Sequence, residues 1–193
     1  MSEQKDIRAF LAIEAPIAIR EEMGRIQNRL KKTVQGMIRW TGPTAMHLTL
    51  KFFGDISGED IDAISAIIKN ESAGLAPLQL TIKSIGVFPN PRKPRVIWLG
   101  TRGDTEQLVM LQRKLERGFG GLGFPEENRP FRAHWTLARI KSPQGLTGLD
   151  QAIETGRDLT AGTFQADTLI LFKSDLRSQG PIYTRLAEYS LTG

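Results

Sequence analysis

The segment AMHLTLKFF, residues 45–53, contains one of the chain's two histidines, and the segment RAHWTLAR, residues 132–139, contains the other. Both have the pattern His-x-Thr-Leu, beginning at His47 and at His134. Their apolar alternation predicts a half-buried strand in each case. Side chains at i and i+2 of a strand point to the same face, so each strand should present an imidazole and a threonine hydroxyl together.

Outward from these two strands, one order of elements occurs twice. In each half the apolar spacing predicts a strand, an amphipathic helix, the histidine-bearing strand, a second helix and a third strand. The first series comprises a strand at 7–14, a helix at 17–31, the strand at 45–53, a helix capped by Ser57 and Asp60, and a strand at 78–87. The second comprises a strand at 95–99, a helix at 104–118, the strand at 132–139, a helix at 149–155 and a strand at 163–173, before a closing strand at 182–191.

A shift of 87 positions superposes the two series and places Arg8 on Arg95 and His47 on His134. Such self-similarity is typical of a duplicated unit, so we predict a single two-lobed domain over residues 1–193. Alternating strands and helices also occur in doubly wound parallel sheets. However, Ala15 and Pro16 follow the first predicted strand, where that fold would have a glycine-rich phosphate loop.

The composition excludes several classes of site. The chain has 193 residues and no cysteine, which excludes disulfide frameworks and zinc-thiolate sites. With two histidines, a zinc site would also need carboxylate ligands, so we expect neither a metal nor another cofactor. The net charge of +5 comes from interspersed residues of both signs, so binding of a polyanion would depend on local clusters.

The sequence also bears on location. Residues 1–6 are polar, and no apolar run approaches the ~18 residues of a membrane span. We therefore expect a cytoplasmic protein without a membrane partner. Nothing in the pattern indicates a dimer surface, so we expect a monomer.

Two imidazoles with pKa values near neutrality suit phosphodiester cleavage, in which a base activates the attacking oxygen and an acid protonates the leaving oxygen. A pseudo-twofold arrangement would supply both groups from His47 and His134 without a metal. The hydroxyls of Thr49 and Thr136 would then hydrogen-bond the non-bridging phosphate oxygens. A structural imidazole packed in a strand is the alternative for either histidine alone, but the shared pattern and position favour catalysis.

The two motifs and their flanks resemble the 2H phosphoesterase superfamily. Within it, they are similar to the bacterial and archaeal RNA 2′,3′-cyclic phosphodiesterases, also called 2′-5′ RNA ligase-like proteins. The second motif departs from the family at Ala133, where Pro is frequent, and at Trp135, where Ile or Val is common. These departures concern strand geometry more than catalysis. The similar segments, which together extend over nearly the whole chain, are 8–13, Trp40, 47–54, 131–139, 174–176 and 180–183.

The resemblance implies an α+β fold in which two antiparallel sheets flank a central cleft, with helices outside and both motifs on facing inner strands. It implies hydrolysis of RNA or nucleotide 2′,3′-cyclic phosphate ends to 2′-phosphates. In that reaction His47 is the proton donor and His134 the proton acceptor. The symmetry of the sequence does not by itself distinguish the acid from the base.

Further residues are candidates for substrate binding. Arg139 would clamp the phosphate, but on a regular strand its odd spacing from His134 points it to the other face, so this role needs a strand end or a bulge. Arg132, two positions before His134, shares its face. Each is otherwise an ordinary surface arginine. Stacking on a nucleobase is expected from aromatic residues, which otherwise belong to the core, namely Phe10, Trp40 and Tyr183.

Two other functions are open on the sequence. An RNA ligase would run the reverse reaction with the same two imidazoles and form a 2′-5′ linkage. A non-catalytic module would only bind RNA ends. Retention of both histidines argues against simple binding, because Arg or Lys would serve that purpose with a permanent charge.

Overall fold

The computed structural model describes residues 6–177 and 180–193, which form four helices and nine strands in an α+β arrangement. The strands are β1 (Ile7–Ile13), β2 (Gln35–Trp40), β3 (Leu48–Ile56), β4 (Leu78–Phe88), β5 (Val96–Gly103), β6 (His134–Thr147), β7 (Thr160–Ala166), β8 (Thr168–Arg177) and β9 (Gly180–Ser190). The helices are α1 (Ile17–Thr33), α2 (Gly58–Ser72), α3 (Thr105–Gly121) and α4 (Leu149–Thr155), and a 3₁₀ turn spans Pro43–Ala45.

The strands form two sheets, and every strand pair within them is antiparallel. One sheet has the order β3-β1-β8-β9 and the other the order β2-β6-β5-β4-β7. The fold class expected from the resemblance is therefore confirmed, and the doubly wound parallel alternative is excluded.

The two sheets correspond strand for strand, with β2 as an additional edge in the larger one. In both, the histidine strand pairs with the first strand of its half, as β3 with β1 and β6 with β5. The corresponding residues of β3 and β6 are 87 positions apart, but those of β1 and β5 are only 86 apart. The strand pairing shows this: Ile13 of β1 pairs with Leu48, and Leu99 of β5 pairs with Trp135. The counterpart of Arg8 is consequently Pro94 and not Arg95.

The secondary structure differs from the prediction in four places. The strand predicted at 45–53 begins at Leu48, so His47 immediately precedes it. β2 was not anticipated, since its six residues are mostly exposed and lack a clear apolar alternation. The predicted strand at 163–173 is two strands that separate at Asp167 and belong to different sheets. The second histidine strand begins at His134, so Arg132 lies before it.

Helices cover one face of each sheet. α1 and α4 pack on the five-stranded sheet, α2 packs on the four-stranded sheet, and α3 contacts β3 of the four-stranded sheet and β4 of the five-stranded sheet. Each sheet is thus covered in part by a helix from the other half of the sequence. Among the described residues, no helix is long and apolar enough to cross a membrane. The capping box predicted for α2 is present, since Ser57 accepts from the Asp60 amide and donates its own amide to the Asp60 carboxylate.

Candidate active site

Each histidine strand contains a β-bulge directly after its threonine. In β3, Ala12 pairs with Thr49 and Leu11 with Lys51, which leaves Leu50 as the extra residue. In β6, Trp98 pairs with Thr136 and Ile97 with Ala138, which leaves Leu137 as the extra residue. An extra residue reverses the side-chain alternation. The residues five positions after the histidines, Phe52 and Arg139, therefore point to the same face as the histidines, and the bulge that Arg139 requires is present.

A buried glutamine supports each bulge, and each comes from the other half of the chain. Gln27 of α1, 1% exposed, donates to the carbonyl of Leu137 at 2.9 Å. Gln112 of α3, 5% exposed, donates to the carbonyl of Leu50 at 3.3 Å. The Leu137 carbonyl also accepts from the Thr41 amide at 2.9 Å, and Gln27 donates to the Thr41 carbonyl at 2.7 Å. The two glutamines therefore hold the backbone at each bulge by an additional side-chain donor.

The first bulge is also fixed by a buried ion pair. Lys51 Nζ lies 2.7 Å from Glu116 Oε2 and 2.5 Å from the carbonyl of Pro125, and Glu116 Oε1 accepts from Gln112 at 3.0 Å. Pro125 belongs to the segment between α3 and β6. The pair therefore ties the His47 strand to the chain that leads into the His134 strand. The matching position in β6 is the fully buried Ala138.

His47 lies in aromatic surroundings. It immediately precedes β3, and its ring stacks on Phe10 with a centroid distance of 4.6 Å and an interplanar angle of 24°. Tyr183 meets the same imidazole edge-on at 5.1 Å, and Phe172 lies 6.1 Å away. Burial lowers the pKa of His47 from 6.5 to about 4, because the charged imidazolium loses its hydration.

His134 lies in more polar surroundings. Its Nδ1 donates to the carbonyl of Arg132 at 2.7 Å, and its ring meets Phe88 edge-on at 4.9 Å. With the proton on Nδ1, a neutral His134 leaves Nε2 free to accept one. Burial lowers the pKa of His134, the Arg132 carbonyl raises it, and the charge of Arg139 lowers it, with a net decrease.

Arg139 and Tyr183 connect the two settings. Arg139 acts electrostatically on His134, and together with Arg39 and Arg8 it also opposes the burial that raises the pKa of Tyr183. Tyr183 in turn contacts His47. β3 and β6, although in different sheets, also contact each other. The two histidines therefore flank one cleft.

The two threonines are half-buried. Each lies two residues after its histidine and therefore on the same face of the chain as the imidazole. Thr49 pairs with Ala12 and Thr136 with Trp98, so both hydroxyls are next to the strands that form the centre of each sheet. In these positions they are available as donors to an anion in the cleft.

The other predicted substrate residues differ in placement. Arg132 lies beside the site, with its guanidinium carbon 6.0 Å from the centre of the Phe88 ring. Phe10 is 2% exposed and forms the floor beneath His47, so it is too enclosed to receive a nucleobase. Trp40 is not brought to the histidines, since it packs against the core beneath the helices with Lys31 of α1 over its ring.

Sequence reasoning missed several cleft residues. Phe52 is 57% exposed and is the counterpart of Arg139, so the equal spacing from the two histidines could have identified it. The positions of Arg8 and Arg39 in the cleft follow from strand pairing, which cannot be seen in the sequence. Trp98 lies flat over Gly86, where a Cβ would overlap its ring.

Among the described residues, no group of three or more His, Cys, Asp or Glu side chains is arranged to hold a metal.

Comparisons with known proteins agree with this architecture. A family model described as LigT like Phosphoesterase matches twice, over residues 13–98 and 99–183. The chain is 34% identical to an RNA 2′,3′-cyclic phosphodiesterase of Methanothermobacter thermautotrophicus, covering 96% of this chain and 99% of the relative. It is 33% identical to the protein of the same name from Methanocaldococcus jannaschii, covering 95% and 100%.

Solved structures are similar over the same length. TT0787 of Thermus thermophilus matches with a TM-score of 0.79 and 26% identity, covering 96% of this chain and 98% of that one. E. coli LigT complexed with 3′-AMP matches with a TM-score of 0.76 and 26% identity, covering 98% and 100%.

Proposed function

Since the chain belongs to the LigT-like phosphoesterase family, we infer that it is an RNA 2′,3′-cyclic phosphodiesterase, and we propose that its two histidines carry out the hydrolysis. The observation that supports this most is the pair of His-x-Thr strands on one cleft, each with a bulge after its threonine. The substrates are RNA or nucleotide ends with a 2′,3′-cyclic phosphate, and the product is a 2′-phosphate.

The environment of His134 supports its role as the base. A neutral imidazole whose Nδ1–H is held by the Arg132 carbonyl has its lone pair on Nε2. The lowered pKa keeps that form populated at neutral pH. His134 Nε2 therefore takes a proton from the water that attacks phosphorus.

His47 is the acid. As the water oxygen bonds to phosphorus, the bond from phosphorus to the 3′ oxygen breaks, and the proton of the His47 imidazolium passes to that oxygen. A pKa of about 4 leaves little imidazolium in the free protein at pH 7. The bound phosphate anion raises the pKa of His47 again, because an adjacent negative charge favours the protonated ring. Substrate binding thus supplies the acid form.

Thr49, Thr136 and Arg139 stabilise the phosphate. The hydroxyls donate to the non-bridging oxygens, and the guanidinium, directed into the cleft by the bulge in β6, offers a charge-assisted bidentate contact. None of these steps uses a metal. We therefore expect that the reaction requires no cofactor.

Hydrolysis of adenosine 2′,3′-cyclic phosphate in the presence of a chelator tests this function. ³¹P NMR of the product distinguishes a 2′-phosphate from a 3′-phosphate. We expect full activity in chelator and the 2′ product. A 3′ product, or activity that returns only with added divalent metal, would contradict the proposal.

A further inference from the structure

The cleft contains more positive charge than one cyclic phosphate requires. A 2′,3′-cyclic phosphate is a diester with a single negative charge, and Arg139 suffices to pair with it. Two further arginines lie close by, because Arg39 is opposite Arg139 on the neighbouring strand and Arg8 lines a cavity together with Tyr183. Their arrangement indicates that the cleft receives a second anionic group.

Arg39 lies directly opposite Arg139 in the pairing of β2 with β6. Like charges at opposed positions of neighbouring strands repel, which makes this pair unfavourable without a ligand. Arg39 also extends toward the other sheet, since an ideal Cβ at Gly180 of β9 would lie 3.9 Å from its Nη2 atom. Its guanidinium therefore lies at the mouth of the cleft, between the two sheets.

Arg8 approaches the same place from the four-stranded sheet. It shares a face of β1 with Phe10, and it lines a cavity of about 120 Å³ together with Phe52, Ser174 and Tyr183. Arg8 and Arg39 thus reach Tyr183 from different sheets, and both lower its pKa. The two arginines come together only because the fold brings the two sheets side by side.

Within the described residues, no carboxylate forms an ion pair with this cluster, and the acidic residue opposite Arg8 in the pairing of β1 with β3 is Asp55. Arg20, Arg29 and Arg185 each lie within 4.0 Å of a glutamate. Across 6–177 and 180–193, Arg8, Arg39 and Arg139 have no carboxylate within that distance. Three unpaired guanidiniums in one cleft are typical of a site that binds phosphate groups.

The three arginines lie on different strands. Arg139 lies on β6, five residues after His134, and Arg39 lies opposite it on the edge strand β2. Arg8 lies on β1 of the other sheet, where it lines the cavity with Tyr183. Arg39 and Arg8 are thus displaced from Arg139 by at least one strand. The next phosphate of an RNA chain is separated from the cyclic phosphate by one nucleoside, which matches this displacement.

We propose that Arg39 and Arg8 form a second phosphate subsite that binds the 5′ phosphate of the terminal nucleotide, so that the preferred substrate is an RNA end and not an isolated nucleoside cyclic phosphate. This rests on the proposed function. The subsite is occupied by a phosphodiester in RNA or by a 5′-monophosphate in a nucleotide.

Two substrates isolate the subsite. Adenosine 2′,3′-cyclic phosphate lacks the 5′ phosphate, and 5′-phosphoadenosine 2′,3′-cyclic phosphate has it. We expect wild-type kcat/KM to be about tenfold or more higher for the phosphorylated substrate, as for a charge-assisted bidentate contact. Arg39→Gln should abolish that preference, so that kcat/KM for the phosphorylated substrate falls by about tenfold or more relative to kcat/KM for the nucleoside substrate, because the interaction with the 5′ phosphate is removed.

Controls separate a charge effect from a structural one. Arg39→Lys should retain part of the preference, and Arg113→Gln, which removes an exposed charge from α3, should retain all of it. For the dinucleotide with a cyclic end, removing the interaction with one phosphate should reduce the slope of log affinity against log salt by ~0.7. A neutral methylphosphonate linkage should remove the same contribution from the wild type.

Equal losses on both substrates in Arg39→Gln, or no wild-type preference, would overturn the subsite. Equilibrium binding of the two substrates is measured in parallel. If neither is hydrolysed, the proposed function fails, while an Arg39-dependent difference in Kd still supports the subsite and its absence still refutes it.

Discussion

The two histidines occupy equivalent positions in the two sheets but have different neighbours. His47 rests on Phe10 and faces Tyr183, and burial lowers its pKa to about 4. His134 donates from Nδ1 to a backbone carbonyl, and Arg139 lies nearby. The sheets supply the same backbone geometry twice, and the side chains around the two imidazoles differ in the way that the proposed acid and base roles require.

The positions after the bulges show the same divergence. Phe52 and Arg139 correspond, yet one is an exposed aromatic ring and the other a cation. Behind the bulges, the buried Lys51 corresponds to Ala138. At these two positions, the four-stranded lobe has an aromatic ring and a buried lysine, whereas the five-stranded lobe has a cation in the cleft and a buried alanine.

The largest effect is expected from the histidines themselves. His47→Ala and His134→Ala should each reduce kcat by about 10³-fold, as for loss of a general acid or base. The measurement is steady-state hydrolysis of adenosine 2′,3′-cyclic phosphate, with circular dichroism to verify folding. Near wild-type turnover in either variant would contradict the shared mechanism.

The ion pair behind β3 gives the next largest effect, on stability. Lys51→Met leaves the 7% exposed Glu116 carboxylate without its cation, so the free energy of unfolding should fall by about 3–5 kcal/mol. Urea denaturation measures the change. The double variant Lys51→Met/Glu116→Leu should recover most of the loss, because neither charge is then unpaired. A single variant as stable as the wild type would show that the pair does not support this lobe.

The bulge glutamines should have smaller and similar effects. Gln27→Leu removes a donor from the carbonyls of Leu137 and Thr41, of which Leu137 keeps the Thr41 amide. Gln112→Leu removes a donor from the Leu50 carbonyl and from Glu116, so each variant should cost about 1–3 kcal/mol of stability. Both should also lower kcat, since each bulge orients the residue five positions after a histidine. Gln151→Leu, at an exposed site on α4, is the control. Unchanged kcat in both variants at full folding would refute a positioning role.

The smallest effect is a shift in pH dependence. The cation of Arg139 disfavours the His134 imidazolium and lowers its pKa, so Arg139→Gln should raise that pKa. In the free enzyme both histidine pKa values lie below 6.5, so the kcat/KM profile should be centred on the acid side of that value. The variant should move the His134 limb to higher pH, whatever its absolute rate. If the His134 limb of the profile stays in place or moves to lower pH, Arg139 does not lower the pKa of His134.

Much of this architecture follows from local sequence. The helix at 149–155 and the start of α3 after Asp104 were predicted from apolar spacing and turn residues, and the structure has them there. The spacing of Arg139 from His134 also indicated that a bulge was needed before any register was known. Periodicity is informative where one face of an element is buried.

The parts that could not be predicted depend on contacts between distant segments. β2 forms only because β6 offers an edge, and the break at Asp167 interrupts a sequence that has no turn signal strong enough to show it. Trp40 and Phe10 were both expected in the cleft as stacking surfaces. The assembled sheets decide which face of its strand each of these two side chains occupies. They also decide how much space remains above each ring.

The difference between the two histidines is tested most directly with a nucleoside 2′,3′-cyclic phosphate whose bridging 3′ oxygen is replaced by sulfur. A thiolate leaves without protonation, so an enzyme without its acid should regain activity on this substrate, whereas one without its base should not. We predict that His47→Ala hydrolyses the 3′-thio substrate at close to the wild-type rate, while His134→Ala remains about 10³-fold slower. Rescue of His134→Ala, or equal rescue of both variants, would contradict the assignment of acid and base.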